Sequence, residues 1–134
     1  MNANFADTNV IIYSVSDDDD KRLLALKIIA AKPVISTQVL TETANTLQRK
    51  LKFSPQDTQS ILMRLIAECD VVAVLPRTVI SAITVMERYR FSFYDSLIIA
   101  TALEASCTTL YSEDMQHGQL IENKLLIINP FKEL

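Results

Sequence analysis

The stretch FSFYDSLIIATAL, Phe91 to Leu103, decides the fold. It predicts a helix from about Tyr94 to Ser106 that is apolar almost all round, through Leu97, Ile98, Ile99, Ala100, Ala102 and Leu103. Such a helix has no face to offer water, so it belongs in the middle of a layered domain. The segments around it alternate in type. Before it lie a β-rich run, Val71 to Leu75, ended by Pro76, and a helix from about Thr78 to Tyr89. After it come two apolar strands, Thr108 to Tyr111 and Leu125 to Ile128. Near the start, Phe5-Ala6-Asp7 reads as the end of a first strand, followed by an apolar helical turn, Val10 to Tyr13. A helix with Leu23, Leu26 and Ala30 on one face then leads to a strand at Pro33 to Ser36. Thr37 is the expected N-cap of the next helix, whose stripe is Leu40, Ala44, Leu47 and Leu51. Ser54 and Pro55 open another, with Ile61, Leu62, Leu65, Ile66 and Cys69 as its apolar face. This alternation implies an α/β domain with a central parallel sheet and helices on both faces. Ligands of such sheets bind beyond the carboxyl ends of the strands.

Composition narrows the function classes. The 134 residues fit a single domain, 1–134. The 49% hydrophobic and 22% charged content is that of an ordinary globular protein, and only the acidic run Asp17 to Asp20 reads as disordered. No apolar run approaches the roughly 18 residues of a membrane span. Met1 to Phe5 carries no basic or long apolar stretch, so no secretion signal and a cytoplasmic location are expected. Cys69 and Cys107 sit in apolar surroundings and are expected to be reduced core residues. With His117 the only histidine, a Cys/His zinc site is excluded. The only glycine is Gly118, which excludes the glycine-rich phosphate loops of P-loop and dinucleotide-binding proteins. The net charge is −3, from 13 Lys and Arg against 16 Asp and Glu. That argues against a large basic face for duplex binding.

Four acids fall where strand ends and helix starts should meet: Asp7, Glu42, Asp95 and Asp114. Asp7 ends the first strand, and Asp114 lies just past the Thr108–Tyr111 strand. Asp95 opens the buried helix. Glu42 points away from the Leu40/Leu47 stripe, on a face with Asn45, Thr46 and Arg49. Each alone also fits an ordinary role: a cap at Asp7, a solvated helix residue at Glu42, a first-turn acid at Asp95, a loop acid at Asp114. As a set they would repel one another unless a cation joined them. Oxygen-only donors suit Mg²⁺ or Mn²⁺, which support hydrolysis without a nucleophilic side chain.

Phe5 to Val10, Ser36 to Leu47, Phe91 to Leu103 and Tyr111 to Asp114 occur in the order and spacing of PIN-domain ribonucleases. The chain resembles most closely the VapC-type toxins of bacterial toxin–antitoxin pairs, over its whole length down to Asn129-Pro130-Phe131. The resemblance implies a three-layer α/β/α fold and Mg²⁺- or Mn²⁺-dependent cleavage of single-stranded or structured RNA. It implies metal ligation by Asp7, Glu42, Asp95 and Asp114, directly or through water, with Thr8, Asn9 and Ser112 as supporting polar residues. It also implies a homodimer and a small antitoxin that blocks the site. One position departs: many relatives carry a further Asp where this chain has Gln116, so one metal ion is better supported than two. Glu113 is expected to face away, and His117 and Gly118 to be turn residues.

Arg49, Lys50 and Lys52, beyond Glu42, and Arg88 and Arg90, before Asp95, are candidate RNA contacts. Tyr94 is expected to pack rather than to stack on a base. Two other classes fit less well. A catalytically weak interaction module of the same family is favoured only by Gln116. A phospho-accepting receiver domain would need an Asp just after a middle strand, and Asp70 precedes its strand.

Overall fold

The computed structural model describes residues 3–134; Met1 and Asn2, part of the stretch inspected for a secretion signal, lie outside them. The strands are β1 (Asn4–Ala6), β2 (Val34–Ser36), β3 (Asp70–Val72), β4 (Thr109–Tyr111), β5 (Leu120–Ile121) and β6 (Leu125–Ile128). The helices are α1 (Thr8–Tyr13), α2 (Asp19–Ala30), α3 (Thr37–Arg49), α4 (Pro55–Glu68), α5 (Pro76–Tyr89) and α6 (Phe93–Glu104). The strand order is β3-β2-β1-β4-β6-β5, with β1 and β4 side by side at the centre. Every pairing is parallel except β5 with β6. The expected parallel sheet is therefore a mixed one with a parallel core, flanked by helices. β5 is a two-residue edge strand joined to β6 through Glu122 and Asn123, both with positive φ. A tight hairpin needs that conformation, and no glycine marks it in the sequence.

The all-apolar helix lies where its composition demands. Every α6 residue from Ser96 to Ala102 is buried, with Ile98 and Ile99 almost fully enclosed, and α5 packs along it. Cys69 and Cys107 are free and buried in the same core, and burial pushes both thiols up to about 11.

Several local expectations are corrected. The Asp17–Asp20 run is ordered: Asp18 caps α2 by accepting from the Lys21 N–H, and Asp19 and Asp20 form its first turn. Acids there face the positive end of the helix dipole. The buried face of α2 is Ala25 and Ile29, leaving Leu23 63% and Leu26 37% exposed, with Ala30 also outside. Apolar residues lie on every side of α2, so spacing alone could not choose the inner face. In α3 Leu47 is enclosed and Leu40 packs against the core as expected, but the buried stripe is completed by Val39 and Thr43, and Leu51 is exposed. In α4, Ile66 is exposed. Tyr94 does not pack inward: it is 64% exposed, edge-on to Phe93 at 5.3 Å, because it occupies the outward side of the first turn of α6. Asp70 is the first residue of β3 and does not follow a strand, so it offers no receiver-type site. No helix among the described residues is long and apolar enough to cross a membrane.

The cap of α3 is Ser36, not Thr37. The Ser36 hydroxyl, fully buried, accepts from the Val39 N–H at 3.2 Å and fixes the start of the helix that carries Glu42. Ser36→Ala should lower unfolding free energy in urea by about 1 kcal/mol, the scale of a lost N-cap. An unchanged urea midpoint would show that the cap does not hold this helix.

Candidate functional site

β1 and β4 run parallel in register, Ala6 beside Tyr111, so the residues that follow them emerge side by side at one sheet edge. The Asp7 N–H donates to the Tyr111 carbonyl at 2.9 Å, extending the ladder by one step. Asp7 therefore faces Ser112, whose hydroxyl donates to Asp7 Oδ2 at 2.8 Å. The other oxygen, Oδ1, accepts from the Thr8 N–H at 2.7 Å and caps α1. The capping role is real and coexists with a place in the cluster.

The first turn of α1 joins Asp7 to Glu42 and Asp114. Thr8 Oγ1 donates to Glu42 Oε1 at 2.7 Å. Asn9 Nδ2 lies 3.2 Å from Asp7 Oδ2 and 3.1 Å from Asp114 Oδ2, donating to both. Its Oδ1 accepts from the Glu113 N–H at 3.0 Å, so one amide fixes the loop backbone and two carboxylates together. Asp95 sits in the first turn of α6, whose start is tied to α3 by Gln38. Gln38 Nε2 donates to Glu42 Oε2 at 3.2 Å and to the Tyr94 carbonyl at 3.0 Å. Gln38 was missed by the sequence reading. Its signal is its place one helical turn before Glu42, on the same side of α3. Its buried Oε1 has no partner among the described residues.

Glu113 turns to other partners, as expected. Its carboxylate accepts from Tyr13 OH at 2.6 Å and from Lys21 Nζ at 2.7 Å. Lys21 also lies over the Tyr13 ring, which meets Phe131 edge-on at 4.7 Å. Burial pushes the Glu113 carboxyl up, but the Lys21 and Tyr13 hydrogen bonds outweigh it and hold it below the usual range. His117 Nδ1 accepts from the Asn129 N–H at 3.0 Å and Gly118 has φ +86°, both parts of a turn. Among the candidate RNA-binding cations, Lys50 lines the groove beside the acids, whereas Arg88 pairs with Glu122.

The electrostatics mark the four acids as one group. Burial raises Asp7 from 3.8 to about 7, against the Ser112 and Thr8 hydrogen bonds, and the charges of Asp95 and Glu42 add to the rise. Asp95 is raised by burial, with Ser92 opposing and Asp114 and Glu42 adding. Among the described residues no ion pair reaches any of the four. Hard oxygen donors in a shared, uncompensated negative field fit a divalent cation. As placed, no three of them stand close enough to ligate one bare ion. The set therefore fits an ion held by one or two carboxylates, with the others reached through water, the usual habit of Mg²⁺.

The family model of the PIN domain matches residues 5–120. No curated protein matches by sequence. Among solved structures, the chain is similar to VapC20 of Mycobacterium tuberculosis, a toxin that cleaves the sarcin–ricin loop. The identity is 23%, with 83% of this chain and 89% of that one covered and a TM-score of 0.67. It is similar to a toxin–antitoxin complex from Klebsiella pneumoniae at 18% identity, 96% and 98% coverage and a TM-score of 0.70. A third is VapBC2 from Rickettsia felis bound to a promoter DNA fragment, at 19% identity, 92% and 96% coverage and a TM-score of 0.68. At these identities the likeness is one of fold.

The raised Asp7 gives a pH prediction with a definite sign. The fold favours the protonated side chain, so its contribution is complete below the unfolded pKa near 4 and is lost as pH rises through about 7. In EDTA, unfolding free energy should fall by up to about 4 kcal/mol between pH 4 and pH 9 from this group. Asp7→Asn should flatten that loss in urea titrations; a slope as steep in the variant as in the wild type would remove Asp7 as its source. The Lys21–Glu113 pair predicts that Lys21→Met leaves the fold intact but weakens Mn²⁺ binding several-fold by calorimetry, through a looser Asp114 loop. Wild-type affinity in that variant would show that the pair has no hold on the site.

Proposed function

The chain belongs to the PIN-domain family, and from that premise we propose that it is a divalent-cation-dependent endoribonuclease acting on single-stranded RNA, the toxin of a toxin–antitoxin pair. The observation that carries the reading is the convergence of Asp7, Glu42, Asp95 and Asp114 at one sheet edge, with Thr8 and Asn9 bridging Asp7, Glu42 and Asp114, Asp95 sharing their field, and no cation paired with any of the four among the described residues. On this reading the four acids hold Mg²⁺ or Mn²⁺, directly or through water. A bound ion would lower the pKa of water, supplying the deprotonated nucleophile, and would stabilise charge growing on the phosphoryl oxygens. The protein does the rest. Ser112 and Thr8 aim the two Asp7 oxygens, Asn9 aligns Asp7 with Asp114, and Thr8 and Gln38 orient Glu42. A small antitoxin that covers the site and a homodimer belong to the same proposal. It is supported by the likeness to solved toxin–antitoxin complexes.

Asp7→Asn, with its hydrogen-bonding shape kept, should reduce cleavage of single-stranded RNA by at least about a hundredfold, and abolish growth arrest on expression, without unfolding the chain. Cleavage at the wild-type rate would sink the proposal. Gln116, where the family resemblance leads a further acid to be expected, favours a second reading: an interaction module of the same fold with little activity. Calorimetric titration with Mn²⁺ separates the two. Measurable binding, lost in Asp7→Asn, supports the nuclease; none supports the module.

A further inference from the structure

A groove of about 540 Å³ runs between α1 and α3 and opens at one end on Glu42 and Asp114. Its volume lies within the range of about 300–1,000 Å³ that holds a small organic ligand. Ile12 on α1 and Leu51 beyond α3 supply its apolar surface. Asn45, Thr46 and Lys50 supply a polar one. None of these three polar side chains has a hydrogen-bond or ion-pair partner among the described residues. The amide, hydroxyl and ammonium thus face the groove with their bonding capacity free. Lys50 is eight residues past Glu42 on α3, about 12 Å along the helix axis.

We infer that this groove is a nucleotide subsite that sets which base lies beside the cut. The inference rests on the nuclease reading, since the acid end is where the scissile phosphate has to sit. From there the next nucleotide enters the groove. Its base lies against Ile12 and Leu51, and its edge meets the Asn45 amide and the Thr46 hydroxyl. An Asn side chain offers both a donor and an acceptor, which suits a base edge. The Lys50 ammonium meets a phosphate further along the strand, as a point charge. A base has an apolar face and a polar edge, which matches a groove with one wall of each kind.

The test uses the full chain, single-stranded RNA oligonucleotides randomised around the cut, and the variants Asn45→Ala and Lys50→Ala. Both residues are exposed, so neither change threatens the fold. Asn45→Ala should relax base preference at one position beside the cut by about tenfold, the scale of one amide–base contact. Lys50→Ala should raise KM several-fold, keep kcat, and lower the salt slope of binding by about one. Mn²⁺ affinity should be unchanged in both. Cleavage by both variants with the wild-type pattern and KM overturns the subsite while leaving the nuclease reading intact. Fluorescence anisotropy with the same oligonucleotides, in EDTA, reads binding independently of cleavage. Undiminished binding in both variants overturns the subsite even if the wild type cuts nothing, an outcome that would separately end the nuclease reading. Variants that keep RNA binding but lose affinity for a co-expressed protein assign the groove to that protein and also overturn it.

Discussion

Four negative charges gathered at one sheet edge must be held there against their own repulsion, and much of the local structure answers that demand. The chain uses neutral donors rather than its own cations. Ser112 and Thr8 donate to Asp7, Thr8 and Gln38 to Glu42, and Asn9 to Asp7 and Asp114. Such bonds fix position without neutralising charge. A lysine or arginine in their place would relieve the repulsion and leave little attraction for a dication. Asp7, only 5% exposed and raised to about 7, is where the uncompensated burial concentrates. A site kept ready for a charged ligand is a place where a fold gives up stability. Among the described residues no three acids stand in direct ligating reach, and water can span the remainder.

The loop after β4 shows how neighbouring acids are sorted. Glu113 and Asp114 differ by one position and have opposite surroundings. Glu113 is neutralised by Lys21 and Tyr13, on a platform completed by Phe131. Asp114 turns to Asn9. The loop is thus gripped from outside by a charged pair and from inside by an amide. Gln116 lies beyond both grips and adds no charge. Of the acids in this loop only Asp114 therefore joins the cluster.

What was legible in the sequence follows from how much each signal depended on distant contacts. The α6 run could be placed because a helix with no polar face has one destination. Asp7, Asp95 and Asp114 could be placed relative to strand and helix ends, since parallel strands put their carboxyl ends at one edge. That they share one field could be inferred only as a set; the hydrogen bonds through Thr8 and Asn9 span 34 and 105 residues of chain. The inner face of α2 is not legible because apolar residues flank the true stripe, and that of α3 is legible only in part, at Leu40 and Leu47. Thr37 was a sound cap by type, but Ser36 at the strand end is the residue with extended backbone, which an N-cap requires. β5 escaped notice because two residues carry no period and its turn is built from Glu122 and Asn123 rather than glycine. Gln38 escaped because an amide on a helix has no meaning until Glu42 and the Tyr94 carbonyl are known to lie within its reach.

Charge arithmetic reconciles an acidic chain with the proposed RNA substrate. Of the 16 acids, four form the candidate metal cluster and others are taken up locally: Glu113 by Lys21, Asp19 by Arg22, Glu122 by Arg88. A dication at the cluster would invert its sign where a phosphate must approach. Lys50 then extends a positive path along α3 with a single charge rather than a broad basic face. Few phosphate contacts mean weak nonspecific affinity. On the proposed reading, discrimination would then come from the surface formed by Asn45, Thr46, Ile12 and Leu51. A nuclease built as proposed would gain specificity from a base held next to the cut rather than from a grip on the backbone.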